Sequence, residues 1–97
     1  QAMCVLLGDE VISVGTVNAS LVSPREVFLS ALAKQAVHII LLHNHPSGVP
    51  QPSVQDKLVT KRILEGGELI GIHLSDHIII GDNQYFSFKE EHLLHLP

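Results

Sequence analysis

A chain of 97 residues with 45% apolar and 16% charged residues excludes disorder and bounds the protein to one small domain, with a real core and a thin stability margin. No apolar run is long enough to span a bilayer, and a formal net charge of −4, with six scattered Lys and Arg residues, argues against a surface built to neutralise nucleic-acid phosphates. Cys4 is the single cysteine, which excludes a disulfide framework or thiolate metal cluster and suits a reduced, cytoplasmic setting.

Taken in order, Met3 to Leu7 reads as a short strand, Gly8-Asp9-Glu10 as a turn, and Val11 to Val22 as a longer extended stretch in which Gly15 marks a bulge or bend. Ser23-Pro24 opens a helix, with Ser23 as N-cap, Pro24 at the first helical position and Glu26 as the capping-box partner. Val27, Phe28, Ala31, Leu32 and Ala36 form its apolar stripe. A buried strand, Val37 to Leu42, follows after a very short connection. Ser47 to Pro52 is a loop rich in Gly and Pro, and Ser53 caps a second helix that runs to about Glu65. Val54, Leu58, Val59 and Ile63 are its expected buried face, and Gly66-Gly67 its stop. Leu69 to Leu74 and His77 to Ile80 read as two more strands. Gly81-Asp82-Asn83 reads as a hairpin turn, Tyr85 to Phe88 as the returning strand, and Lys89 to Leu94 as a last helical turn. The order β-β-α-β-α-β-β-β predicts an α/β fold: a mixed β-sheet flanked by helices, one on each side.

The chemistry concentrates in His43-Asn44-His45-Pro46 and the following Ser53 and Asp56. Side chains two apart on an extended chain share a face, so His43 and His45 converge while Asn44 points away. Asp56 falls in the first turn of the helix that Ser53 caps. Two imidazoles and one carboxylate suit Zn²⁺ with a fourth position left for water, the arrangement of catalytic zinc. The bland alternatives are specific too: inert histidines at a strand end, and an Asp56 that serves only the capping box with Ser53.

The spacing His43-x-His45-Pro46-x6-Ser53-x2-Asp56 resembles the metal motif of the JAMM/MPN metalloproteases. The longer string from His43 to Asp56, with Pro24 to Phe28 and Asp76 to Gly81, is similar to the bacterial RadC-like branch of that superfamily. The resemblance covers about Val5 to Leu94 and implies a JAB/MPN domain, a deaminase-like α/β sandwich. It implies His43, His45 and Asp56 as ligands of Zn²⁺, Ser53 as a hydrogen-bond donor to the tetrahedral intermediate, and a glutamate distant in sequence as the base. Glu26 is the candidate base. The helix that carries it runs straight into the histidine strand, so its N-terminus should lie level with His43 and His45. Glu10 is the fallback. Asp76 and His77 are candidates to orient a ligand imidazole, as is His73. His38 is expected to be structural, and His92 and His95 exposed.

Residues 1–97 are thus expected to be one RadC-like JAB/MPN domain, a fragment lacking the helical region that precedes such domains. The expected activity is zinc-dependent hydrolysis of an amide or isopeptide bond. The partner is a peptide or protein substrate of unknown identity, in the cytoplasm, with no strong nucleic-acid signal, no membrane, and a homodimer left open. The alternative is a DNA-repair-associated or protein-interaction module without hydrolytic activity.

Overall fold

The computed structural model describes the backbone of residues 3–7, 10–15 and 23–95, and the side chains of residues 4–6 and 23–95. Its centre is the apolar run that the sequence marks as a strand. This run forms β3 (His38–Asn44), whose alternation buries Ile39, Leu41 and His43 on one face. The strand extends past Leu42 through both His43 and Asn44. On one side β3 pairs antiparallel with β1 (Met3–Leu7), which pairs antiparallel with β2 (Glu10–Gly15). The β1–β2 register shifts by one residue opposite Met3 and Cys4, beside Gly15, where the bulge is expected. Glu10 opens β2 opposite Leu7 instead of belonging to the turn, and residues 16–22 of the predicted long stretch lie outside the described residues.

On its other side β3 pairs in parallel with β4 (His73–Ile80), and β4 pairs antiparallel with β5 (Tyr85–Ser87). The sheet is mixed and five-stranded, in the order β2-β1-β3-β4-β5. Leu69 and Ile70, predicted to open a strand, are helical instead, and the strand that begins at His73 runs as one to Ile80. Pairing passes from Ile39 opposite Leu74 to Ile40 opposite Asp76, so Ser75 bulges out and the strand continues. After Ser87, turn hydrogen bonds such as Leu93 N–H to Phe88 O at 2.8 Å replace the expected helical turn.

Helix α1 (Pro24–Ala33) starts at Ser23, whose hydroxyl accepts from Arg25 N–H at 3.2 Å, while Glu26 N–H goes to the Ser23 carbonyl at 3.1 Å. Helix α2 (Val54–Ile70) makes the crossover between the parallel strands β3 and β4. It runs through Gly66-Gly67 and ends at Gly71, whose φ of 76° supplies the left-handed cap. The two inner glycines serve close packing instead: a Cβ on Gly66 would lie 3.0 Å from the Phe28 ring, and one on Gly67 would collide with the Ile72 carbonyl. Phe28 of α1 thus touches α2, and both helices share one core with Val5, Ile39, Leu41 and Leu74. They lie on the same face of the sheet, not one on each side.

The buried stripe of α2 also differs from expectation. Val54 and Leu58 are exposed, whereas Asp56, Val59, Thr60, Ile63 and Gly67 face inward at helical spacing. On α1, Val27 and Ala31 are buried and Leu32 is exposed. No helix among the described residues is long and apolar enough to cross a membrane.

Candidate metal centre

The polar cluster forms where β3 ends and α2 begins. His45 lies one residue beyond β3 but donates its backbone N–H to Ile80 O at 3.0 Å, which prolongs the extended spacing. The His43 and His45 rings therefore meet edge to face, 4.7 Å between centroids. The chain then turns at Gly48, whose N–H reaches His45 O at 3.0 Å and whose carbonyl accepts from Asp82 N–H at 2.8 Å. Gly48 has a φ of 82°, and a Cβ there would strike the Asp82 carboxylate, so only glycine suits this corner. That turn delivers Ser53 to the start of α2, where both halves of a capping box form. Asp56 N–H donates to Ser53 Oγ at 3.0 Å, and Ser53 N–H donates to Asp56 Oδ2 at 2.7 Å.

The cap holds Asp56, which is wholly buried, against both histidines. His43 Nδ1 is 3.0 Å from Asp56 Oδ1, and His45 Nε2 is 3.0 Å from Asp56 Oδ2. The His45 Nδ1 atom lies 2.8 Å from Val49 O. A carbonyl only accepts, so Nδ1 donates to it, which leaves Nε2, beside the carboxylate, as the nitrogen available to ligate. Burial by itself would raise the Asp56 pKa, but the His43 ring and the Ser53 backbone N–H outweigh it and hold the carboxyl well below the usual range. Asp56 is an anion set between two imidazole nitrogens, a donor set that a cation can join.

The donors fit a metal on two further grounds. One ligand atom from each of His43, His45 and Asp56 lies within 4.8 Å of the others. His43 Nδ1, His43 Nε2 and Asp56 Oδ1 are buried without hydrogen-bond partners, although buried polar groups are rarely left so. The 3.0 Å contact of His43 with Asp56 is not aligned as a hydrogen bond. It is close to the roughly 3.3 Å that separates two ligands each about 2 Å from one tetrahedral ion. The group can hold a metal ion through two nitrogens and an oxygen.

The other sequence candidates fall in different places. Ser53 is exposed beside Asp56, and because its oxygen accepts from Asp56 N–H its hydroxyl proton can still be donated outward. Glu26 is exposed in the first turn of α1 and is not among the clustered ligands. The side chain of Glu10 lies outside the described residues. The Asp76 carboxylate accepts from Ser87 Oγ at 2.6 Å, His77 N–H at 2.7 Å and Lys89 N–H at 2.9 Å, so it ties the β4 bulge to β5 and the turn after it. His73 is at the far end of β4, exposed, with Glu68 at 3.1 Å and the His38 ring against it. His38 is exposed as well, with its ring edge to face with that of His73.

His77 is wholly buried; its ring stacks on Phe88 at 4.8 Å and is nearly parallel to that of His43 at 6.1 Å. Burial, reinforced by the neighbouring His43 ring and only partly opposed by Asp56 and Asp76, pushes its pKa down to about 4. Thr60 was not anticipated. Its hydroxyl lies 2.7 Å from Asp56 O and 2.6 Å from His77 Nδ1. The available signal was its spacing: four residues after Asp56 places it on the same inward face of α2.

Residues 2–93 match the family model of the RadC-like JAB domain. Curated relatives named UPF0758 protein include one from Methanosarcina mazei, 55% identical over 86 residues, covering 89% of this chain and 38% of the relative. Another, from Alkaliphilus metalliredigens, is 55% identical over 89 residues, 92% of this chain and 38% of the relative. A third, from Clostridioides difficile, is 52% identical over the same span and shares. The chain thus spans well under half the length of the curated relatives it matches.

Proposed function

This chain belongs to the RadC-like JAB domain family, and from that premise we propose that it is a zinc-dependent hydrolase of the JAMM class, cutting an amide or isopeptide bond. One observation carries the reading: His43, His45 and Asp56 converge with buried, unpartnered donor atoms and an ionised carboxylate. Zinc bound there would act as a Lewis acid toward the scissile carbonyl and lower the pKa of its water. The residues divide the remaining work. The Ser53 backbone N–H keeps Asp56 ionised and oriented, and the Val49 carbonyl holds His45 in the tautomer that frees Nε2. The Ser53 hydroxyl is the donor for negative charge developing on the carbonyl oxygen. Glu26 is the base that takes the proton of the attacking water and returns it to the leaving amine. What supports this role is the short connection, residues 34–37, from its helix to β3, which favours a helix that runs back antiparallel to that strand. The substrate on this reading is a peptide or protein, met in the cytoplasm, where the lone thiol of Cys4 would stay reduced. Residues 1–97 would act as a single catalytic domain.

The test combines metal content with turnover. Protein purified without chelator should carry about one zinc per chain, and should hydrolyse members of a panel of peptide amides and lysine isopeptides. Glu26→Gln should keep the zinc and abolish hydrolysis, whereas His43→Ala should lose both. Zinc retained in full by His43→Ala would move the site elsewhere. Zinc binding without hydrolysis across the panel would favour an interaction module instead.

A further inference from the structure

Among the described residues, four buried side-chain atoms lack a hydrogen-bond partner: His43 Nδ1, His43 Nε2, Asp56 Oδ1 and His77 Nε2. A metal held as proposed above would satisfy Asp56 Oδ1 and one nitrogen of His43. Two atoms then remain. The second nitrogen of His43 must carry a hydrogen, because a neutral imidazole that ligates through one nitrogen is protonated on the other. The last atom is His77 Nε2.

The character of that atom follows from Thr60. Its hydroxyl has one hydrogen and two neighbours, Asp56 O at 2.7 Å and His77 Nδ1 at 2.6 Å. The carbonyl can only accept, so the Thr60 hydrogen goes to it, the usual bond from a helical threonine to the carbonyl four residues back. The Thr60 oxygen must then accept, and His77 Nδ1 carries the hydrogen it accepts. The ring is wholly buried and Nε2 has no acceptor within reach, so no second hydrogen is placed there and Nε2 bears a lone pair. One buried donor and one buried acceptor are thus left over, on two nearly parallel rings with centroids 6.1 Å apart.

We infer that His77 is a positioning residue for the metal centre: clamped by Thr60 as the Nδ1–H tautomer, it offers Nε2 to the non-ligating N–H of His43. The contact is made through one bridging water, since the rings are stacked with 27° between their planes and centroids 6.1 Å apart, so that the N–H and the lone pair do not meet directly. The chain runs from the backbone of one ligand, Asp56, through Thr60 and His77, to the ring of another, His43. It couples the start of α2 to the end of β3 and decides which nitrogen of His43 faces the ion. The inference rests on the metal reading of the site.

Two measurements test it, with zinc as the probe. The first uses nitrogen-15 NMR of the imidazole rings in zinc-free protein. His77 should be neutral and protonated on Nδ1; an Nε2–H tautomer would overturn the inference. The second is zinc affinity by competition with a chelator. His77→Phe keeps the stack on Phe88 but removes the acceptor, and should weaken zinc binding by about 10- to 100-fold. Thr60→Val, which keeps shape and loses the clamp, should weaken it in the same direction, while Thr60→Ser should restore it. Should His77→Phe fail to fold, the Thr60 pair and the tautomer of the unsubstituted protein decide. Wild-type protein that binds no zinc would overturn the reading of the site and this inference together. Wild-type protein that binds zinc no more tightly than His77→Phe and Thr60→Val would overturn this inference alone.

Discussion

At one end of β3 two histidines meet an acid from α2, and at the other end two histidines meet another acid from α2. The rings of His43 and His45 cross edge to face at 4.7 Å, those of His38 and His73 at 5.6 Å. Asp56 is 3.0 Å from His43, and Glu68 is 3.1 Å from His73. Residue types, elements and distances nearly coincide, yet the environments do not. His43 and Asp56 are 1% and 0% exposed, whereas His73 and Glu68 are 54% and 44% exposed. At the exposed end water satisfies whatever the pair does not, and such a pair is worth little. At the buried end bulk solvent is excluded from His43 and Asp56, so their unpartnered atoms remain available to a cation. Helix polarity adds to the contrast. Asp56 sits in the first turn of α2, where backbone N–H groups hold a carboxylate; Glu68 sits near its end, among carbonyls.

The strongest way to break this contrast is to remove Asp56. Asp56→Ala should abolish zinc binding in a chelator competition and, by deleting the capping box, lower urea stability by about 1–2 kcal/mol. Wild-type zinc affinity in that variant would mean that burial and convergence do not make the site. An intermediate effect comes from acid. The unfolded chain takes up a proton on His77 near the ordinary histidine value, while the folded protein resists until about pH 4. The stability held by the neutral ring is therefore complete above the ordinary value and is lost as pH falls toward the folded one, a loss of up to roughly 3 kcal/mol. Asp56, with its pKa held low, adds a contribution that is present above the ordinary carboxylate range and fades below it. In zinc-free protein the urea midpoint should drop between about pH 7 and about pH 4.5, and His77→Phe should flatten that slope. An unchanged wild-type midpoint over this range would contradict the burial argument. The smallest effect belongs to the exposed end. Glu68→Gln or His73→Ala should shift stability by less than about 0.5 kcal/mol and leave zinc affinity as it was. A loss of affinity there would show that the two ends are coupled.

Legibility followed the range of the forces involved. The convergence of His43, His45 and Asp56 could be read because two short-range rules produce it: alternation along an extended chain brings His43 and His45 together, and the i, i+3 reach of a capping box orients Asp56. The same local view misjudged the glycines. Gly66-Gly67 has the composition of a helix stop, but those positions are small because Phe28 and the Ile72 carbonyl press against them. It also misjudged the buried face of α2. Apolarity pointed to Val54 and Leu58, while the inward stripe passes through Asp56 and Thr60, polar residues buried against His43, His45 and His77.

By itself, then, the sequence determined the α/β class, the strand that ends in two histidines, the cap that presents an aspartate and the family. Each depends on residues within a few positions of one another, or on a motif long enough to be specific. Only the tertiary structure decided that both helices share one face, that the segment from His73 to Ile80 is a single strand bulged at Ser75, and that the His77 ring lies against that of His43. Those outcomes depend on pairing between segments distant along the chain. The parallel register sets His77 opposite Leu41, two residues from His43, and the crossover helix lays Thr60 against it. No local pattern encodes a register of that kind, because it is selected by the whole core closing at once.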